Sequence, residues 1–130
     1  MKKRINLFMN FTVELSKLSK CTERQVAAVV TDKDLSQIYS IGLNGGPVKG
    51  IDCLCKLPGK ETCIHAEAQA IAKNTSPDKD KIIFITLTPC VTCSAMIVNS
   101  GFSKVYYKDQ WKDTTGLTIL RRAGIEVIKL

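Results

Sequence analysis

The sequence predicts an α/β fold, a three-layer α/β/α sandwich on a mixed five-stranded sheet. Three observations carry this. In the second half of the chain, short apolar segments rich in Ile, Val and Tyr alternate with segments of helical period, which implies parallel strands joined by helical crossovers. In the first half, two apolar segments flank Asp32-Lys33-Asp34, a turn-forming stretch that implies an antiparallel hairpin. Finally, 130 residues, of which 45% are apolar, suffice for one core, so a single domain over residues 1–130 is expected.

The elements follow in order. Residues 3–19 place Ile5, Phe8, Met9, Val13, Leu15 and Leu18 at helical spacing, an amphipathic first helix. Residues 26–30 (VAAVV) read as a buried strand and residues 36–41 as its hairpin partner. Residues 42–60 hold five glycines and two prolines and read as a functional loop, because they also carry Asn44, Cys53 and Cys55. The alanine-rich residues 65–73 are a helix and 74–81 a polar connection. Residues 81–87 are the plainest strand. A helix over 90–99 ends near Gly101, a strand covers 105–107, a helix over 114–123 carries Arg121 and Arg122 near its end, and a last strand covers 125–130.

Composition narrows the function classes. No apolar run reaches the ~18 residues of a membrane span. Met1-Lys2-Lys3-Arg4 is basic, but no long apolar stretch with a small-residue cleavage site follows, so no secretory signal is read. The six cysteines are then expected to be thiols or metal ligands in a reducing cytoplasm. The formal charge of +7 suits nucleic acid or an anionic small molecule, yet the basic residues form no tract and the aromatics no stacking platform. Tyr106, Tyr107 and Trp111 read as core or interface residues.

The chemistry concentrates in two motifs, His65-Ala66-Glu67 and Pro89-Cys90-Val91-Thr92-Cys93. One imidazole and two thiolates make the three-ligand set of a catalytic zinc, which keeps its fourth position for water. Glu67 is a carboxylate beyond those ligands, placed to take a proton from the activated water and pass it on. A structural zinc or redox CxxC has no use for such a glutamate. H-x-E followed by P-C-x-x-C is the signature of the zinc deaminases of nucleobases.

With these motifs, and with Cys21-Thr22-Glu23-Arg24-Gln25-Val26 and Gly42-Leu43-Asn44-Gly45-Gly46-Pro47, the chain resembles the cytidine and deoxycytidylate deaminase superfamily, most closely its phage and bacterial dCMP deaminases. The resemblance implies the five-stranded cytidine-deaminase sandwich, conversion of dCMP to dUMP and ammonia, His65, Cys90 and Cys93 on Zn²⁺, and Glu67 as catalytic acid/base. It implies that Asn44 holds the sugar 3′-hydroxyl, that Arg24 lies near the substrate phosphate, and that Ala66 belongs to the substrate-binding set. Asn44 also fits the turn chemistry of Asn-Gly, and the two roles are compatible.

The resemblance further implies a homohexamer switched on by dCTP and off by dTTP, with Mg²⁺ on the effector, through a site built partly from residues 42–50 with Lys49. A second, structural zinc in some relatives brings in Cys21, Cys53, Cys55 and Cys63; the alternative is four thiols without metal. The chain departs from the family where Gln69 replaces an asparagine and Ala27 a glycine. Other readings of the same residues are a free cytidine deaminase, a tRNA adenosine deaminase, or a zinc-stabilised binding module without activity.

Overall fold

The computed structural model describes residues 1–21, 23–46, 53–59 and 61–130. Four helices and five strands follow one another as α1 (Lys2–Ser16), β1 (Ala27–Thr31), β2 (Ile38–Leu43), α2 (Ala66–Lys73), β3 (Lys81–Leu87), α3 (Val91–Asn99), β4 (Phe102–Asp109), α4 (Thr115–Arg122) and β5 (Glu126–Lys129). The sheet order is β2-β1-β3-β4-β5. β1 runs antiparallel to both β2 and β3, while β3, β4 and β5 are mutually parallel, so the sheet is mixed as expected.

Each face of the sheet carries its own core. On one side Ile83, Ile85 and Val105 pack with Ile97 of α3 and with Leu117 and Leu120 of α4. On the other side Met9 and Leu15 of α1 meet Ile82, Phe84 and Tyr106, with Phe84 stacked on Tyr106 at 4.9 Å between ring centroids. β3 is covered on both faces, which is why its sequence is a continuous apolar run instead of an alternation. Tyr106 and Tyr107 are core residues, as the sequence suggests.

Several boundaries differ from expectation, three of them for a plain backbone reason. α1 stops at Ser16, and Lys17, Leu18 and Ser19 continue as tighter turns whose amides bond three residues back. β2 begins at Ile38 because the Asp32 carboxylate takes the amides of Ser36 (2.7 Å) and Gln37 (3.0 Å) and the Ser36 hydroxyl, which keeps both residues out of the ladder. Burial pushes the Asp32 carboxyl up, but these bonds outweigh it and hold it below the ordinary range. β4 is longer than residues 105–107 because β3 pairs its backbone from Phe102 to Asp109, and β5 pairs it from Lys104 to Tyr107, whatever the polarity of the side chains there.

One close approach fixes α2 on the sheet. At Gly42 a side-chain carbon would lie 2.1 Å from the carbonyl oxygen of Ala66 and 2.6 Å from the amide nitrogen of Ala70. Only glycine lets the helix settle this low on β2, and the Ser40 hydroxyl then reaches the Ala70 carbonyl at 2.7 Å. The start of α2, and with it the His65-Ala66-Glu67 motif, takes its position from this contact.

Candidate active site

The two motifs meet at helix starts. His65 is the N-cap of α2, and Cys90 the N-cap of α3, just past the end of β3. Pro89 sets up that start, and the Cys90 sulfur accepts the Cys93 amide at 3.4 Å, so the CxxC turn is closed by its own thiol. His65 Nδ1 lies 3.6 Å from Cys90 Sγ and 3.4 Å from Cys93 Sγ. Tetrahedral zinc with Zn–N of ~2.0–2.1 Å and Zn–S of ~2.3 Å puts nitrogen and sulfur about 3.5 Å apart. The donor set therefore fits Zn²⁺, with the fourth position left to a non-protein ligand.

Glu67 sits in the first turn of α2, 4% exposed. Burial pushes its carboxyl above the ordinary range, against the opposing pull of its own backbone amide and of His65. Burial also pushes the Cys93 thiol up, as do the neighbouring Glu67 and Cys90 charges. This concentration of groups that resist negative charge suits a cation between them.

A residue that sequence reading missed supports the histidine. Glu61 Oε1 lies 2.7 Å from His65 Nε2, the nitrogen turned away from the two thiols, and so fixes the ring with Nδ1 toward them. Carboxylate and imidazole stand four residues apart in a loop where no helical period signals the pairing.

The ligands open into a cleft of about 790 Å³ that also reaches Asn44, Arg24, Ala66 and Trp111. Asn44 is buried and heavily engaged. Its Oδ1 accepts the Ser19 hydroxyl (2.7 Å) and the Val26 amide (2.8 Å), and its Nδ2 donates to the Arg24 carbonyl (2.8 Å). These bonds leave one Nδ2 hydrogen, so the side chain is a structural knot with one donor to spare. Ala66, the first residue of α2, is fully buried against Gly42. Arg24 lies at the mouth, its guanidinium 3.8 Å above the Trp111 ring. Trp111, read from sequence as core or interface, is 40% exposed in the chain, so it is not a core residue, and it lines the cleft.

A second cluster stands nearby. Cys21, Cys53, Cys55 and Cys63 bring four sulfurs within 4.8 Å of one another. Cys21 and Cys53 are 3.9 Å apart and Cys55 and Cys63 3.5 Å, too long for the ~2.05 Å of a disulfide but near the ~3.8 Å between thiolates on one tetrahedral zinc. Lys49 and the rest of residues 47–52 lie outside the described residues, so the loop assigned to effectors is described only through Gly46.

A family model of the cytidine and deoxycytidylate deaminase zinc-binding region matches residues 2–109. The chain belongs to this family. A deaminase of this family solved from the cyanophage S-TIM5, a dCMP deaminase in complex with dCMP and dUMP, superposes with a TM-score of 0.89 at 30% identity, covering 100% of this chain and 98% of that one. The deoxycytidylate deaminase of phage T2 is 29% identical over 89% of this chain and 86% of its own length. That of Saccharomyces cerevisiae is 27% identical over 92% of this chain but only 42% of its own length. The chain thus spans less than half of the yeast relative and most of the phage one. The cytidine-deaminase-like fold is the one described above. No helix among the described residues is long and apolar enough to cross a membrane.

Proposed function

We propose that this chain is a zinc-dependent dCMP deaminase, hydrolysing dCMP to dUMP and ammonia within a single cytoplasmic domain. The observation that carries this reading is the buried Glu67 carboxylate beside a His65–Cys90–Cys93 donor set of zinc dimensions. His65, Cys90 and Cys93 would hold the Zn²⁺, which when bound supplies a Lewis acid and brings the pKa of water from 15.7 toward ~7. Glu67 manages the protons. Both protons of the attacking water pass through its carboxylate, one to the ring nitrogen and one to the amino group that departs as ammonia. Its burial raises its proton affinity above that of an ordinary carboxylate, which helps a group that must both accept and donate.

Arg24 favours a nucleotide over a free nucleoside, because it sets a guanidinium at the mouth of the cleft, where a 5′-phosphate would lie. Asn44 offers its remaining N–H to the sugar, and Ala66 forms the floor beside the base. The test is ammonia release from dCMP and from deoxycytidine, with Arg24→Ala beside the wild type. Brisk turnover of dCMP, lost in the variant by about 10- to 100-fold against little change for deoxycytidine, is expected. Equal rates on both substrates, or activity only on tRNA, would overturn the reading.

The same reading assigns the four-cysteine cluster a second, structural Zn²⁺. Four thiolates complete a tetrahedral shell and leave no open position, unlike the three-donor centre. Two zinc ions per chain are expected by elemental analysis. Cys63→Ser and Cys93→Ala should each retain one. A wild type with a single zinc, kept in full by Cys63→Ser, would remove the second site and leave the first.

Regulation by dCTP with Mg²⁺ and by dTTP, in a homohexamer, completes the proposal. Asn44 ties the 42–46 stretch to Ser19, Val26 and Arg24, so an effector that binds this loop differently in two states can reach the substrate contacts. A several-fold shift needs only ~1 kcal/mol of coupling. Rates against dCMP concentration, with and without each nucleotide, and sedimentation of the protein test both points.

A further inference from the structure

We infer that Trp111 is a specificity-determining residue, a platform that holds the Arg24 guanidinium edge-on to the phosphate of a nucleoside monophosphate. The inference rests on the deaminase reading for its substrate and on geometry for the platform. Arg24 is exposed, and among the described residues it makes no ion pair, yet its guanidinium is not left to wander. Its Cζ stands over the indole, 3.8 Å from the ring centroid. A stacked guanidinium keeps its face on the ring and its N–H edge outward, the edge that grips two oxygens of one phosphate.

Both partners are fixed from behind. The Arg24 carbonyl accepts Asn44 Nδ2 at 2.8 Å. The Trp111 amide donates to the buried Thr88 hydroxyl at 2.9 Å, two residues before the ligand Cys90, and the Thr88 amide donates to Asp109 at 2.9 Å. The indole is thereby registered to the metal-binding turn, and the cation to the substrate's asparagine. A phosphate bound there meets a cation that has already lost much of its side-chain freedom, which lowers the entropic cost of gripping it. The indole face covered by Arg24 is not offered to a base, so Trp111 acts through the arginine and not by stacking on the substrate.

The platform should therefore act on KM and only where a phosphate is present. Trp111→Ala is expected to raise KM for dCMP about 2- to 10-fold with kcat little changed, to leave deoxycytidine turnover alone, and to be largely rescued by Trp111→Phe. In an Arg24→Ala background, Trp111→Ala should add nothing further. Trp111 is the only tryptophan of the chain, so its fluorescence reports the phosphate without catalysis. Titration with dUMP should change the emission and deoxyuridine should not. Equal losses on both substrates, full additivity with Arg24→Ala, or emission blind to dUMP would each overturn the platform. Emission that follows dUMP in a protein that turns over no dCMP would support the platform and overturn the deaminase reading.

Discussion

At the scale of single residues, the catalytic assignment rests on a carboxylate kept out of water. Glu67→Gln should keep the fold and the zinc and lose ~10²–10⁴-fold in kcat, because the amide fills the same space but cannot carry a proton. Metal analysis beside ammonia release checks both halves. Burial makes a second prediction, for protein stripped of metal. The folded state raises the Glu67 carboxyl above its ordinary 4.5, so folding favours its protonated form. That contribution is complete below 4.5 and is lost as pH climbs through the raised value. Thermal melts of the stripped protein against pH should fall over that window, and Glu67→Gln should flatten the difference. Glu67, His65, Cys90 and Cys93 were legible in the sequence because each half of the site is a local motif, fixed by the spacing a helix start imposes. Glu61 and Trp111 were not legible: each meets its partner only through the folding of a loop, and neither contact has a periodicity to betray it.

At the scale of elements, two small features set large ones. Gly42 lets α2 sit against β2 with no room for a methyl group, the obstacle being backbone 2.1 Å away. Gly42→Ala should cost about 1–3 kcal/mol and displace His65 and Glu67 together, so the melting temperature and kcat should fall in the same variant. A variant with normal activity would mean that α2 can shift without harm to the site. Asp32 holds the turn between β1 and β2, and Asp32→Ala should cost ~1 kcal/mol or more in urea unfolding while leaving the distant site's kcat unchanged. The strands and helices themselves were readable from hydrophobic period, with β3 the plainest. What was not readable was where ladders begin and end. The start of β2 depends on a side chain that captures two amides, and the length of β4 on neighbours far along the chain.

At the scale of the molecule, the parallel half of the sheet and the antiparallel half meet at β3, whose end leads into Pro89 and Cys90. The catalytic cleft and the four-cysteine cluster are joined through a single residue, Ile64, between Cys63 and His65. Ile64 is paired both ways with Gly45, at 2.7 and 3.2 Å, so this bridge is anchored to the segment that carries Asn44. If the four cysteines hold a zinc as proposed, Cys63→Ser should therefore lower the melting temperature and raise KM together. Loss of the His65 zinc alone, as in Cys93→Ala, should abolish turnover with a smaller thermal effect, because an open three-donor site contributes less to holding loops than a closed four-donor one. Calorimetry of Cys63→Ser and Cys93→Ala side by side measures this. The mixed sheet was legible from the alternation of strands and helices. The meeting of the two clusters was not, since it depends on how one loop folds back.

The Asn44 knot also bears on how the molecule ages. Asn-Gly is chemically the frailest pair in a protein chain, because the glycine nitrogen can attack the asparagine side-chain carbonyl, expel ammonia and close a succinimide ring. In the folded chain the Gly45 N–H is occupied by the Ile64 carbonyl, and the Asn44 amide is held at both ends by Ser19, Val26 and Arg24. The attack requires both groups to turn out of these bonds. Long storage of the native protein should leave position 44 intact by peptide mapping, and the same storage in denaturant should convert it to aspartate and isoaspartate. The bonds that arrange the cleft thus also shield its most perishable peptide from spontaneous decay.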